Sequence, residues 1–284
     1  MESQPEKPTR RYLWEVTLLT MLWFVQPGHA ANTNLRIGGS GTDLATFRII
    51  ADEFEKRNPG VKIEIPPSLG SGGAVKALRA GWLHLGLLSR PLKLSEESPE
   101  FNAVLYARTP LVFAVSRDTA VSSVSLEQVA AIYRGDLTEW DNGAPIRPIL
   151  RPKSDSDSIL LLATYPQLAR AFNKARARRG LPLSVTDQDT ANKLENLPGA
   201  FATTTLSLIR SGSGTIKALA LDGISPSVES ISNGHYRMHK ELYLLLPASL
   251  PPQTARFVEF VGSKKGFEIL QRTGHQVIEF KHGQ

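Results

Sequence analysis

A mostly parallel, doubly wound α/β sheet is the fold class this sequence predicts, on three observations. From Asn34 onward, strand-like and helix-like stretches alternate with short turns between them. The first helix-like stretch repeats apolar residues at spacings of three and four, Leu44, Phe47, Ala51 and Phe54. Two glycine- and hydroxyl-rich elbows stand where strands give way to helices, the place where such sheets bind ligands.

The elements follow in order. NLRIGG (34–39) is a short strand ending in glycine. The helix after it takes Thr42 as its N-cap and stops at Asn58-Pro59-Gly60. VKIEIP (61–66) alternates as a strand. SLGSGG then opens a helix, AVKALRAG (74–81), ended by Gly81, and HLGLLSRPL (84–92) is a third strand. LVFAVS (111–116) is an unbroken apolar strand, and the helix in SLEQVAAIYRGDLTEW (125–140) has a serine cap and a stop at Gly135. IRPILRP (146–152) is a strand, and KSDSDS leads into one long helical stretch, ILLLATYPQLARAFNKARARRG. PGAFATTTLSLI (198–209) reads as turn, strand and helix start, and TIKALALDG (215–223) as a strand with a turn. ELYLLLP (241–247) is a second long apolar strand, and ARFVEFVGSKKGFEILQRTG (255–274) a helix interrupted at Gly-Ser. Because the alternation restarts after residue 116, a second lobe is expected.

Composition narrows the class. With 41% apolar and 21% charged residues, 284 residues describe a globular chain of one large or two ordinary domains. Lys and Arg number 33 against 27 Asp and Glu, a net of +6 that is compatible with anionic ligands. The absence of cysteine excludes disulfides, thiol catalysis and Cys-ligated metals. At the N-terminus, Lys7, Arg10 and Arg11 precede the short apolar run YLWEVTLLTMLWFV, and Gly28 and Ala30 supply small residues at positions −3 and −1. Residues 1–30 therefore read as a signal peptide cleaved near Ala30. The run falls short of the ~20 residues a transmembrane helix needs.

A helix start has unpaired N–H groups and a partial positive charge, so it suits an anion. Glycine lets backbone approach closely and adopt positive φ, and Ser or Thr adds neutral donors. The elbows Ser40-Gly41-Thr42 and Ser71-Gly72-Gly73 are thus expected to converge on one small anion. Ser89 and Arg90 end the third strand and Arg151 ends a later one, and a guanidinium suits a tetrahedral oxyanion. Alone, each of these has a plainer reading: a tight turn, a solvated strand end, a surface arginine, or, for SDSDS, a capped helix start.

Taken together, IGGSGTDLATFRIIADEFEKRNPGVKIEI, GSGGAVKALRAGWLHLGLLSRPL, LVFAVS, LEQVAAIYRGDLTEWD, PGAFA and ISNGHYRMHKELYLLLP resemble the phosphate-binding component of bacterial phosphate ABC importers. The matches run in order from about Leu35 to the C-terminus. The resemblance implies a type II periplasmic-binding-protein fold, two α/β lobes joined by two hinge strands, LVFAVS and ELYLLLP. Lobe I would comprise 32–115 plus 239–284 and lobe II 116–238. It places Thr42, Ser71 and Arg151 at the family's anion-binding positions; at the serine of its Arg-x-x-x-Ser-Gly-Thr loop, direct spacing puts Asp155, and a shift of one puts Ser154 or Ser156. Two departures stand out. Ser89-Arg90 replaces an Asp that accepts a proton from phosphate in well-known members. The second-lobe loop reads RPKSDSDS, whose carboxylates would repel an oxyanion unless they point away or pair with arginine. The implied protein is a periplasmic monomer that binds phosphate or a similar inorganic oxyanion, hands it to an ABC permease, meets the membrane only through that permease, and uses no cofactor.

An enzyme is the rival class, but GxxxxGK[ST], GxSxG and HExxH are all absent. His84, His235, His239, His275 and His282 are scattered, and Asp155 with Asp157 lacks a third metal ligand. KARARRG (174–180) reads as a solvated helix face, so nucleic acid is not expected as a partner. The alternative function is that of a secreted sensor or scaffold without transport.

Overall fold

The computed structural model describes residues 1–2 and 33–280. The expected signal segment and its cleavage point near Ala30 lie outside the described residues, apart from 1–2.

Strand β1 (Thr33–Gly39) leads through a 3₁₀ turn (Gly41–Asp43) into α1 (Leu44–Arg57), and β2 (Val61–Glu64) returns parallel to β1. The cap is not Thr42 as expected: Ser40 Oγ accepts from the Thr42 N–H, and the Thr42 hydroxyl is directed elsewhere. Helix α2 (Gly70–Arg79) begins four residues before the expected Ala74. Gly70, at φ +67°, swings the chain into the helix, so Gly72 and Gly73 are ordinary helical residues. Positive φ at the two elbows falls on Gly39 and Gly70, not on the glycines first singled out. β3 (Leu85–Leu88) then lies parallel to β1 on its other side.

β4 (Phe101–Ser116) starts ten residues before LVFAVS. Short β5 (Ser123–Val124), α3 (Leu126–Arg134) and β6 (Arg147–Pro148) follow. Ser125 caps α3 in a reciprocal capping box with Gln128, and Gly135 ends it at φ +87°, as expected. The expected strand 146–152 shrinks to two paired residues, Arg147–Pro148, and Pro148 and Pro152 have no N–H to donate. The long helical stretch is cut at Pro166 into α4 (Ser156–Thr164) and α5 (Ala169–Ala177). α6 (Asp187–Asn196) was not foreseen. β7 (Ala200–Thr205), α7 (Leu206–Ser211), β8 (Ile216–Ala218), β9 (Ala220–Leu221), α8 (Val228–Ser232), β10 (His239–Pro247), α9 (Pro252–Val261), α10 (Lys264–Arg272) and β11 (Gln276–Val277) complete the chain.

The main sheet runs β2-β1-β3-β10-β4-β7-β6, and β8 and β11 also pair with β4. It is mixed: β1, β2 and β3 are parallel, as are β6 and β7, whereas β10 is antiparallel to both β3 and β4. β4 changes partners along its length. Phe101 to Pro110 pair with β10, and Leu111 to Val115 pair with β7. The buried core divides at the same point. One cluster is drawn from Leu111 to Met238, with Phe113 stacked on Phe201. Two others are drawn from Leu35 to Ala107 plus Leu242 to Leu270, around Phe47, Tyr106 and Phe257. Among the described residues no helix is long and apolar enough to cross a membrane.

Gly39 has φ +143°, and a Cβ there would sit 2.3 Å from the Leu87 carbonyl oxygen. Gly39→Ala should therefore cost about 2 kcal/mol or more, since strained φ and a backbone clash add. Urea denaturation checks this; a midpoint equal to the unmutated protein's would contradict the reading.

Candidate functional site

A cleft of about 680 Å³ opens where four helical starts meet: the 41–43 turn, α2, α4 and α6. Its lining includes Ser40, Gly41, Ser71, Gly72, Gly73, Ser89, Arg90, Arg151, Ser154 and Ser156. Ten of the eleven expected site residues therefore line one cleft. Thr42 alone is withdrawn: it is 1% exposed and points its hydroxyl at Asp187 and Lys240.

The floor is a cluster of hydroxyls from four segments. Ser40 Oγ donates to Ser89 Oγ at 2.9 Å, and Ser71 Oγ accepts from the Ser89 N–H at 3.1 Å. Ser89 Oγ lies 3.5 Å from Ser71 Oγ and 3.4 Å from Ser156 Oγ. Such groups donate hydrogen bonds without carrying charge, and the N–H groups in the first turn of α2 have no partner inside the helix.

The two arginines are engaged differently from expectation. Arg90 forms a bidentate pair with Glu96, at 2.6 and 2.7 Å, so it reaches the cleft already neutralised. Glu96 is held below its usual carboxylate range chiefly by that hydrogen bond. Arg151, 6% exposed, is gripped bidentately by Asp155 at 3.1 and 2.7 Å. It also donates to Asp187 at 3.2 Å and to Thr190 at 3.0 Å. The SDSDS carboxylates thus pair as electrostatics requires. Asp155 caps α4 and holds Arg151, while Asp157 forms an ion pair with Lys240 in which both side chains are 1% exposed.

Asp187 and Glu96 also line the cleft, and Asp157 and Lys240 lie buried behind it; the sequence reading assigned none of the four. Asp187 accepts from Thr42 Oγ1 at 3.2 Å and from Arg151, tying the first elbow to the second arginine. Its carboxyl is pushed above the usual range first by burial, with Asp157 and Asp155 adding and Lys240 and Arg151 opposing. Burial works against the charge on Lys240, but Asp157, Asp187 and Asp155 outweigh it, so its ammonium titrates higher than usual. Gly41 is a close-approach glycine: its carbonyl accepts from Gln188 Nε2 at 2.8 Å, and a Cβ would lie 2.6 Å from Gln188 Oε1 and 2.9 Å from Asp187 Oδ2. The arrangement provides neutral donors, a guanidinium and helix starts around a concave floor. Among the described residues no group of three or more His, Asp or Glu is placed to hold a metal ion.

A PBP superfamily domain profile matches residues 25–265, and the chain belongs to that superfamily. Protein SphX of Synechococcus elongatus is 26% identical over 237 residues, 76% of this chain and 68% of that protein. Phosphate-binding protein PstS 2 of Streptococcus pneumoniae is 30% identical over 107 residues, 38% of this chain and only 36% of its own length. A solved structure from Clostridium perfringens, a candidate phosphate ABC transporter substrate-binding protein with bound phosphate, superposes with a TM-score of 0.70 at 20% identity. The match covers 88% of this chain and all of that one. At that identity the likeness establishes the fold.

Truncating one partner of a buried ion pair strands the other charge, at a cost of about 3–5 kcal/mol. Lys240→Met should therefore lower stability by about that amount, while Lys240→Met with Asp157→Leu should recover much of it. Chemical denaturation of the three proteins checks this. A double variant that recovers none of the loss would contradict the reading.

Proposed function

We propose that this protein is an extracytoplasmic solute-binding protein that captures phosphate or a related tetrahedral oxyanion in the cleft and passes it to an ABC permease. The observation that carries the reading is the convergence of Ser40, Ser71, Ser89 and Ser156 hydroxyls at a floor ringed by helix starts. The names of the relatives, phosphate-binding protein PstS 2 among them, support phosphate as the ligand. The signal-like sequence at 1–30 supports export and a periplasmic site of action. The division of the core at Leu111 and Met238 supports two lobes, 32–115 plus 239–284 and 116–238, that close on ligand as a shift between hinge positions. No chemistry is performed; the donors hold the anion and release it on opening.

In this reading the anion enters beside Asp155 and Asp187 and shares Arg151 with them. The residual negative charge is the cost of binding, and Asp187 sets it. Burial first, with Asp157 and Asp155 adding and Lys240 and Arg151 opposing, keeps the Asp187 proton to higher pH than in an ordinary aspartate. Below that raised value the carboxyl is neutral, so repulsion of an anion falls as pH falls. The folded protein gains stability from that proton at low pH and loses it as pH rises through the raised value.

Calorimetric titration with phosphate, sulfate, arsenate and molybdate tests the function. Micromolar or tighter phosphate binding (about −8 kcal/mol) is expected. Ser71→Asp, which puts a carboxylate on the floor, should weaken it by about 100-fold or more. Undiminished binding by Ser71→Asp or by Arg151→Ala would refute the site. Sulfate stays a dianion at any pH where a carboxyl titrates above its ordinary range, and so isolates the protein's own pH dependence. Its affinity should rise several-fold on acidification, and Asp187→Asn should flatten that profile; an unchanged slope in Asp187→Asn would remove Asp187 from the role.

A further inference from the structure

The cleft is larger and more cationic at its mouth than a lone oxyanion requires. A water molecule claims about 30 Å³ of liquid, so the five heavy atoms of a tetrahedral oxyanion fill roughly 150 Å³. The cleft holds about 680 Å³. Beyond the hydroxyl floor, one wall is the face of α2 on which residues 72, 76 and 79 succeed one another at helical spacing. Gly72 leaves that wall open at its inner end: a Cβ there would meet only Arg90 Nη2 and Glu96 Oε1, both at 3.8 Å. Farther out the same face carries exposed Lys76 and Arg79, and Lys93 faces them from the loop after β3. Among the described residues neither lysine has a carboxylate within ion-pair distance, and Arg79 reaches Glu100 only at 3.9 Å. Glu96, which lines the same cleft, is paired with Arg90; it also accepts from the Lys93 backbone N–H at 3.0 Å and feels the Lys93 charge more weakly than that of Arg90. A corridor therefore leads from neutral donors at the floor to a cluster of under-compensated cations at the mouth.

We propose that the cleft takes a solute in which a phosphoryl group is joined to a second anionic group, the phosphoryl at the floor and the second anion at Lys76, Arg79 and Lys93. This deepens the oxyanion reading and rests on it. Bulk alone would gain little, because the outer cleft offers charge rather than apolar surface. Recognition depends on the second charge.

The test is calorimetric titration of the full chain at one ionic strength with three probes: inorganic phosphate, glycerol 2-phosphate, which adds bulk without a second anionic group, and pyrophosphate, which adds the group. Pyrophosphate should bind about tenfold or more tightly than phosphate, with glycerol 2-phosphate within about threefold of phosphate. In Lys76→Ala with Lys93→Ala, whose side chains are exposed, the pyrophosphate advantage should fall below about threefold while phosphate affinity stays within about twofold. Phosphate binding with no pyrophosphate advantage, or an advantage that the double variant keeps, overturns this proposal and leaves the oxyanion reading standing. Equal weakening of all three probes by the double variant also overturns it, since the lysines would then act as a diffuse field. Silence toward all three removes both readings at once.

Discussion

The site depends on one buried balance of charge. Arg151 and Lys240 face Asp155, Asp157 and Asp187 in a space almost closed to water. Ions taken from water are costly unless each finds partners at hydrogen-bond distance, so the five groups dictate one another's positions. They come from three places distant in sequence: the stretch running into α4, the start of α6 and the start of β10. Thr42 is fixed by the same requirement, receiving from Lys240 and giving to Asp187. With three carboxylates against two cations, the group is short of positive charge, and Asp157 Oδ2 has no partner. The tendency of Asp187 to keep its proton relieves that imbalance.

A second balance governs the elbows. Hydroxyls and bare backbone can crowd together where charged side chains cannot, and the first elbow is crowded. Gly41 lies so near Gln188 and Asp187 that any side chain would displace them, and Gly39 lies against the backbone of β3. The glycines of the first elbow thus serve approach between protein segments, while Gly72 in the second leaves open space. The floor stays neutral and donor-rich, and formal charge is confined to its margin.

Much of this was legible in the sequence. Apolar spacing marked α1, Ser125 and Gly135 marked α3, and the elbows and arginines marked the cleft. The misses have physical causes. The first ten residues of β4 hold the short apolar run Ala103–Ala107, but Arg108, Thr109 and Pro110 separate it from LVFAVS, and pairing with β10 carries the strand through that break. α6 reads DQDTANKLEN, with few apolar residues for periodicity to find; it buries Asp187, Thr190 and Leu194. Thr42 looked like a cap because Ser40, which takes that role, stands only two residues before it. Asp187 and Lys240 carry no local signal at all, since their partners lie 36 to 198 residues away.

The place of β10 in the sheet also governs the order in which the chain can be completed. β3 has β1 on one side and β10 on the other, and the first ten residues of β4 depend on β10 as well. Residues 239–247 are made after more than four-fifths of the chain. Until they emerge from the ribosome, β3 presents an open edge and much of the core built from residues 35–107 has no partner layer. Pairing across such separations bears a loop-closure cost before any contact repays it, so this sheet assembles late and slowly. The half of the sheet that holds β1, β2 and β3 therefore closes only after the core drawn from Leu111 to Met238 has all its residues in hand.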